Sequence, residues 1–172
     1  MSQQPPTAND IAKAVTASAA NELSAAMNKV QHCLHQLSDE QIWSRENESR
    51  NSIGNLILHM SGNLRQWIVS GIGGAKDVRD RPREFAERRL IARAGLLEQL
   101  EFTVRQAIDA LQSIDAENLM RIRPVQDRQL TGLAAVFNTT CHFWGHTQEI
   151  IHMTRTLLGD AYQFKGRSAT SH

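Results

Sequence analysis

Apolar residues recur at helical intervals along most of this chain. From Ala8 to Leu37 they fall at Ile11, Val15, Ala19, Leu23, Met27, Val30, Leu34 and Leu37 with no proline or glycine between them, which predicts one long amphipathic helix. Ser38-Asp39-Glu40 ends it, and Ile42 and Trp43 follow in a short connector expected to tuck under the end of a bundle. A second helix opens at Ser52, a suitable N-cap, and carries Ile53, Leu56, Ile57, Met60, Leu64, Trp67 and Ile68 to about Ser70. Gly71-Ile72-Gly73-Gly74 stops it. Ala75 to about Glu84 reads as a loop. A third helix is expected from about Pro82 or Phe85 to Ser113, with Leu90, Ala94, Leu97, Leu100, Val104, Ile108 and Leu111 as its buried stripe. The period then breaks. Met120-Arg121-Ile122-Arg123 alternates, Pro124 stops helix and Asp127-Arg128 can turn the chain, which predicts a short two-stranded hairpin. Thr131 caps a last helix running to Leu158 and closed by Gly159.

Four long helices and one small hairpin define an all-α fold, a four-helix bundle over residues 9–160 between a polar leader (1–8) and a polar, loosely held tail (161–172). Long connections after helices two and three leave room for crossovers. At 172 residues the chain is long enough for one domain with a full core. Its formal charge of +1 gives no general attraction to nucleic acid or anionic lipid, and no apolar run approaches the roughly 18–20 residues of a membrane span. The excess of basic residues from Lys76 to Arg93 lacks the interleaved aromatics of a nucleic-acid surface. Met1-Ser2-Gln3-Gln4-Pro5-Pro6 lacks the regions of a signal peptide, and two cysteines make no disulfide framework, so a cytoplasmic location is expected.

The candidate chemistry sits on the last helix. His142 and His146 are four residues apart, which stacks them on one helical face. Two imidazoles can grip a transition metal, but a stable site needs a further ligand, and His59 on helix two is the candidate. Thr139, Asn138 and Glu149 share the face of the pair, and Asn55, Asn63 and Gln66 lie near that of His59. Two polar stripes facing each other across a bundle are what an internal metal site requires. Three imidazoles with one position left over form the open pattern of reactive sites. Imidazole ligands suit zinc, nickel, copper or iron, and nothing in the sequence chooses among them. Glu149 reads as a supporting carboxylate, a general base or a plain surface glutamate; Asn63 reads as a residue that bonds substrate or coordinated water. Phe143 stands where a His-Glu-x-x-His protease would carry its glutamate. Cys141, about 100° away from the ligand face, is expected to be buried and inert. His32, His35, His152 and His172 read as ordinary packing or surface histidines.

Asn55-Leu56-Ile57-Leu58-His59 followed far downstream by His142-Phe143-Trp144-Gly145-His146-Thr147-Gln148-Glu149-Ile150 resembles the DinB/YfiT-like superfamily of metal-dependent four-helix-bundle proteins. Gly54 to Trp67, Gly145 to Ile150 and Arg79-Asp80-Arg81 are similar to a branch of bacterial proteins of unknown function within it. The resemblance covers roughly residues 10 to 160. It implies a bundle with a crossover, a divalent metal (Zn, Ni or Fe) on His59, His142 and His146, and often a homodimer. Some such relatives are transferases or isomerases that use a low-molecular-weight thiol, namely bacillithiol, mycothiol or glutathione, held as a thiolate by the metal. The leading expectation is therefore a metal-dependent thiol transferase acting on a small-molecule substrate. Its rivals are a metal-dependent hydrolase with Glu149 as base and a non-catalytic dimeric bundle that binds metal or ligand.

Overall fold

The structure, a computed structural model, describes residues 4–125 and 128–164. The leader's first three residues, the expected turn at Asp127 and the tail beyond Phe164, with His172, lie outside the described residues. The elements are α1 (Ala8–Leu34), α2 (Asp39–Trp43), α3 (Ile53–Leu64), α4 (Arg81–Ala86), α5 (Arg93–Ser113), α6 (Ala116–Met120), β1 (Ile122–Val125), β2 (Arg128–Thr131) and α7 (Gly132–Leu158). A π-helical segment, Arg65–Ser70, prolongs α3, and a 3-10 turn, Gly159–Ala161, follows α7.

The helices start where side chains can replace missing backbone acceptors. Thr7, Ser38 and Ser52 each accept from the N–H three residues on, and Asp10, Gln41 and Asn55 answer by accepting from the cap's own N–H. Thr131 caps α7 by accepting from Ala134 N. The hairpin pairs Ile122 with Thr131 and Val125 with Arg128, antiparallel.

α1, α3, α5 and α7 are the four long members. α1 packs against α5 and α7, and α3 packs against the same two, so α1 lies diagonal to α3 and α5 diagonal to α7. The connections that cross the bundle are thus those after α1 and α5. The one after α3 joins neighbours, so of the two connections long enough for a crossover only that after α5 makes one. Leu23, Val30 and Leu34 of α1 meet Leu56, Ile57 and Met60 of α3, Leu96 and Leu100 of α5, and Phe143 and Ile150 of α7 in one continuous core. Burying each such side chain contributes about 1.5–3 kcal/mol.

Several expectations need correction. The third helix is two, α4 and α5, broken over residues 87–92, and Leu90 is exposed rather than part of a buried stripe. Side chains from distant elements take the backbone acceptors there. Asn55 Nδ2 donates to Glu84 O and Glu87 O, Arg45 to Glu87 O, and Trp43 Nε1 to Ile91 O. Arg93 N donates to Asp39, which restarts the helix at α5. Cys141 is exposed rather than buried, because its side of α7 borders an open apolar groove of about 590 Å³ shared with Ile11, Val15 and Phe137. For the same reason Ile11, read as core, is 55% exposed. The described start of the tail is tied down: Gln163 N donates to Gln36 Oε1, and Gln163 O bonds His32 Nε2 at 2.6 Å.

Trp43 also fixes how α2 sits on α3. Its indole lies so close over Gly54 that a Cβ there would come 2.7 Å from ring carbons. Only glycine leaves room for that contact.

Candidate metal centre

α3 and α7 pack directly against each other, and this contact brings one histidine of α3 to two of α7. His59, His142 and His146 each offer a ring nitrogen, and the three atoms lie within 4.8 Å of one another. The ring centroids are 5.0, 5.1 and 4.5 Å apart for the pairs 59–142, 59–146 and 142–146. His59 is buried; His142 and His146 are partly exposed, so the cluster opens towards solvent on the α7 side.

Two of the three rings are oriented by carboxylates. His59 Nδ1 is 2.9 Å from Glu84 Oε2, and His146 Nδ1 is 2.8 Å from Glu149 Oε2. An ionised carboxylate only accepts, so the proton of each neutral ring sits on Nδ1 and the lone pair of Nε2 is left for the cluster. His59 Nε2 and His142 Nε2 are 3.1 Å apart. Two nitrogens bound at about 2.0–2.1 Å to one tetrahedral ion would stand about 3.3 Å apart, so the donors present fit a divalent transition metal. Three neutral nitrogens are the right chemistry for zinc, nickel or iron.

Glu84 is the member that sequence reasoning missed. Its carboxylate is 9% exposed and also receives Arg79 Nε at 2.7 Å and Arg79 Nη2 at 2.9 Å. Arg79 Nη1 donates in turn to Gln66 Oε1, and its side chain is only 3% exposed. Burial by itself would push the Glu84 carboxyl up, but the hydrogen bonds from Arg79 and His59 outweigh it and hold the group below its ordinary range. The pair needs Gly62. A Cβ at that position would fall 1.9 Å from Glu84 Oε1 and 3.1 Å from Arg79 Nε, so only a bare backbone lets the ion pair lie on α3. Phe85 covers His59, with ring centroids 4.7 Å apart. A signal for α4 was present: Asp80 before Arg81-Pro82 is a helix start, and the structure shows Asp80 accepting from Arg83 N.

The remaining candidates are placed as follows. Glu149 lies beside His146 and is 47% exposed. Asn63, one turn beyond His59, is half-buried and has no hydrogen-bond partner among the described residues. Asn55, on the same side of α3, serves the α4–α5 break instead of the cluster. Thr139 is buried, whereas Asn138 faces outward.

His142 is pushed down to about 4, chiefly by burial and then by the neighbouring His146 and His59 and the cations Arg79 and Arg81. Its ordinary value is 6.5, so between those values the unfolded chain holds the proton and the folded chain does not. This group therefore lowers stability as pH falls from 6.5 towards 4, and contributes no slope above that window. Urea titrations of metal-free protein should show the wild type losing stability more steeply across this window than His142→Gln. Equal slopes would contradict the assignment.

Comparison with known proteins agrees with the architecture. A conserved protein from Enterococcus faecalis of known structure superposes with a TM-score of 0.71 at 15% identity, covering 84% of this chain and 97% of its own. A DinB-like protein from Bacillus cereus gives 0.62 at 15% identity, covering 77% and 85%. Likeness at that identity speaks for the fold alone. No curated protein matches. The family described as "Protein of unknown function (DUF1572)" matches residues 10–166, nearly the whole bundle, and with its four long helices in a DinB-like arrangement the chain belongs to that family.

Proposed function

We propose that His59, His142 and His146 hold a divalent metal and that the site transfers a low-molecular-weight thiol to or from a small-molecule substrate. The observation that carries this reading is the commitment of both neighbouring carboxylates. Glu84 is engaged by Arg79 and His59, and Glu149 by His146, so no unengaged carboxylate stands against the cluster among the described residues. A divalent ion bound there supplies positive charge that favours the anionic form of a nucleophile beside it. A free thiol ionises near 8.5 and needs only the ion's charge at neutral pH. Water, which a bound ion brings from about 15.7 to about 7, is commonly assisted in hydrolysis by a general base, a role the engaged carboxylates do not fill. The arrangement is better matched to the thiol.

The chain's own groups divide the work. Glu84 and Glu149 hold the proton of His59 and His146 on Nδ1, leaving Nε2 as donor. Arg79 keeps Glu84 ionised inside the protein. Phe85 shields one side of His59, and the opening past His146 admits the ligand. Asn63, one turn beyond His59 on α3, is assigned the contact with substrate in this reading. The exposed apolar strip of Ile11 and Phe137 beside Cys141 supports a homodimer.

Cobalt substitution tests the thiol directly, because sulfur ligation adds a charge-transfer band that nitrogen and oxygen ligands lack. Bacillithiol, mycothiol, glutathione and cysteine are titrated into the cobalt protein near neutral pH. A saturable band for one of them, absent in His146→Ala, is expected. Carboxylates binding while every thiol fails would overturn the thiol reading in favour of hydrolysis.

A further inference from the structure

His142 differs from its two companions. Their Nδ1 atoms meet carboxylates, but His142 Nδ1 is buried with no hydrogen-bond partner among the described residues. Thr139 Oγ1 is in the same position, buried and unpartnered, in a residue 2% exposed. Such groups are costly to bury unpaired. The two residues are three apart on α7, and residues so spaced are surface neighbours with Cβ atoms about 5–6 Å apart. Helical side chains also lean towards the N-terminus, which carries the His142 ring over the turn that holds Thr139.

Proton bookkeeping says what partner His142 requires. His59 Nδ1 faces Glu84 Oε2 at 2.9 Å and Arg79 Nη2 at 3.1 Å. Arg79 Nη2 already donates to that same Oε2, and the nearer, acceptor-only oxygen takes the Nδ1 proton as well, so in the neutral ring His59 Nε2 can only accept. The 3.1 Å contact between His59 Nε2 and His142 Nε2 then places the proton on His142 Nε2, leaving His142 Nδ1 as an acceptor. Metal binding needs the reverse. Nε2 must present its lone pair, so the proton moves to Nδ1, which becomes a donor. A carboxylate could serve only the second state. A hydroxyl can donate in one and accept in the other.

We propose that Thr139 is the positioning residue for His142, its hydroxyl reaching Nδ1 by rotation about χ1 or through one buried water and following the change of tautomer as metal enters. This rests on the metal reading above. The three ligands are thereby supported unequally, two by anions and one by a reversible neutral group.

The test uses full-length protein, zinc and Thr139→Val, which keeps the shape and removes the hydroxyl, with Thr139→Ser restoring it. Zinc affinity is measured by chelator competition, and histidine tautomers by long-range proton–nitrogen correlation on nitrogen-labelled protein. Thr139→Val should bind zinc about tenfold more weakly or worse, the range typical for losing a ligand's hydrogen-bond partner, and Thr139→Ser should recover most of it. In the wild type, His142 should carry its proton on Nε2 without zinc and on Nδ1 with it. Unchanged affinity in Thr139→Val, or a His142 proton already on Nδ1 in the metal-free protein, overturns the proposal while zinc binding itself stands. A wild type that binds none of zinc, nickel and iron(II) overturns both.

Discussion

Replacing Glu84 with alanine should lower the stability of the metal-free protein by about 3–5 kcal/mol, the usual result of removing one partner from a buried ion pair. Arg79 would remain with a side chain only 3% exposed and without the carboxylate that now takes Nε and Nη2. Its guanidinium cannot lose its charge, so the folded state must either keep an unpaired buried cation or let the loop before α4 move into water. Against a total of about 5–15 kcal/mol the loss is severe. Urea unfolding followed by circular dichroism measures it. Arg79→Met combined with Glu84→Ala should recover part of the loss, because the unpaired charge goes with it. A loss below about 1 kcal/mol for the single variant would mean that the pair is not buried as described.

Replacing His59 or His142 with alanine should abolish stoichiometric metal binding while leaving a helical protein. The donors form one cluster within 4.8 Å, and the two imidazoles left in either variant cannot hold an ion as three do. The fold should survive because the core through Leu23, Leu56, Leu100 and Ile150 does not depend on these rings. In His59→Ala, Glu84 still receives Arg79 at both oxygens, so no charge is left unpaired. Elemental analysis with circular dichroism separates the two effects. A full equivalent of metal in either variant would remove that residue from the ligand set.

The parts legible in the sequence are those written in local periodicity. The helical stripes, the caps at Ser52 and Thr131 and the hairpin before α7 each depend on residues within a turn or two of one another. The i, i+4 spacing of His142 and His146 likewise shows without any structure. What escaped depends on contacts far along the chain. The break before α5 is held by Trp43, Arg45 and Asn55, more than thirty positions upstream, and no periodicity in Glu87 to Ala92 reveals them. Glu84 looked like one more charge in a solvated loop because its partners, His59 and Arg79, meet it only when α4 folds onto α3. The apolar positions Ile11 and Phe137 follow a core-like pattern, yet the groove between α1 and α7 stays open there. A pattern shows which face of a helix is apolar; it does not show which part of that face a neighbour covers.

Everything said of function depends on a metal at the three histidines. The direct measurement is calorimetric titration of zinc, nickel and iron(II) into chelator-treated protein carrying no histidine tag, with His59→Ala run in parallel. One equivalent bound per chain by the wild type, and none by the variant, is the predicted result. A wild type that binds none of the three ions, or binds one as tightly without His59, would contradict the account.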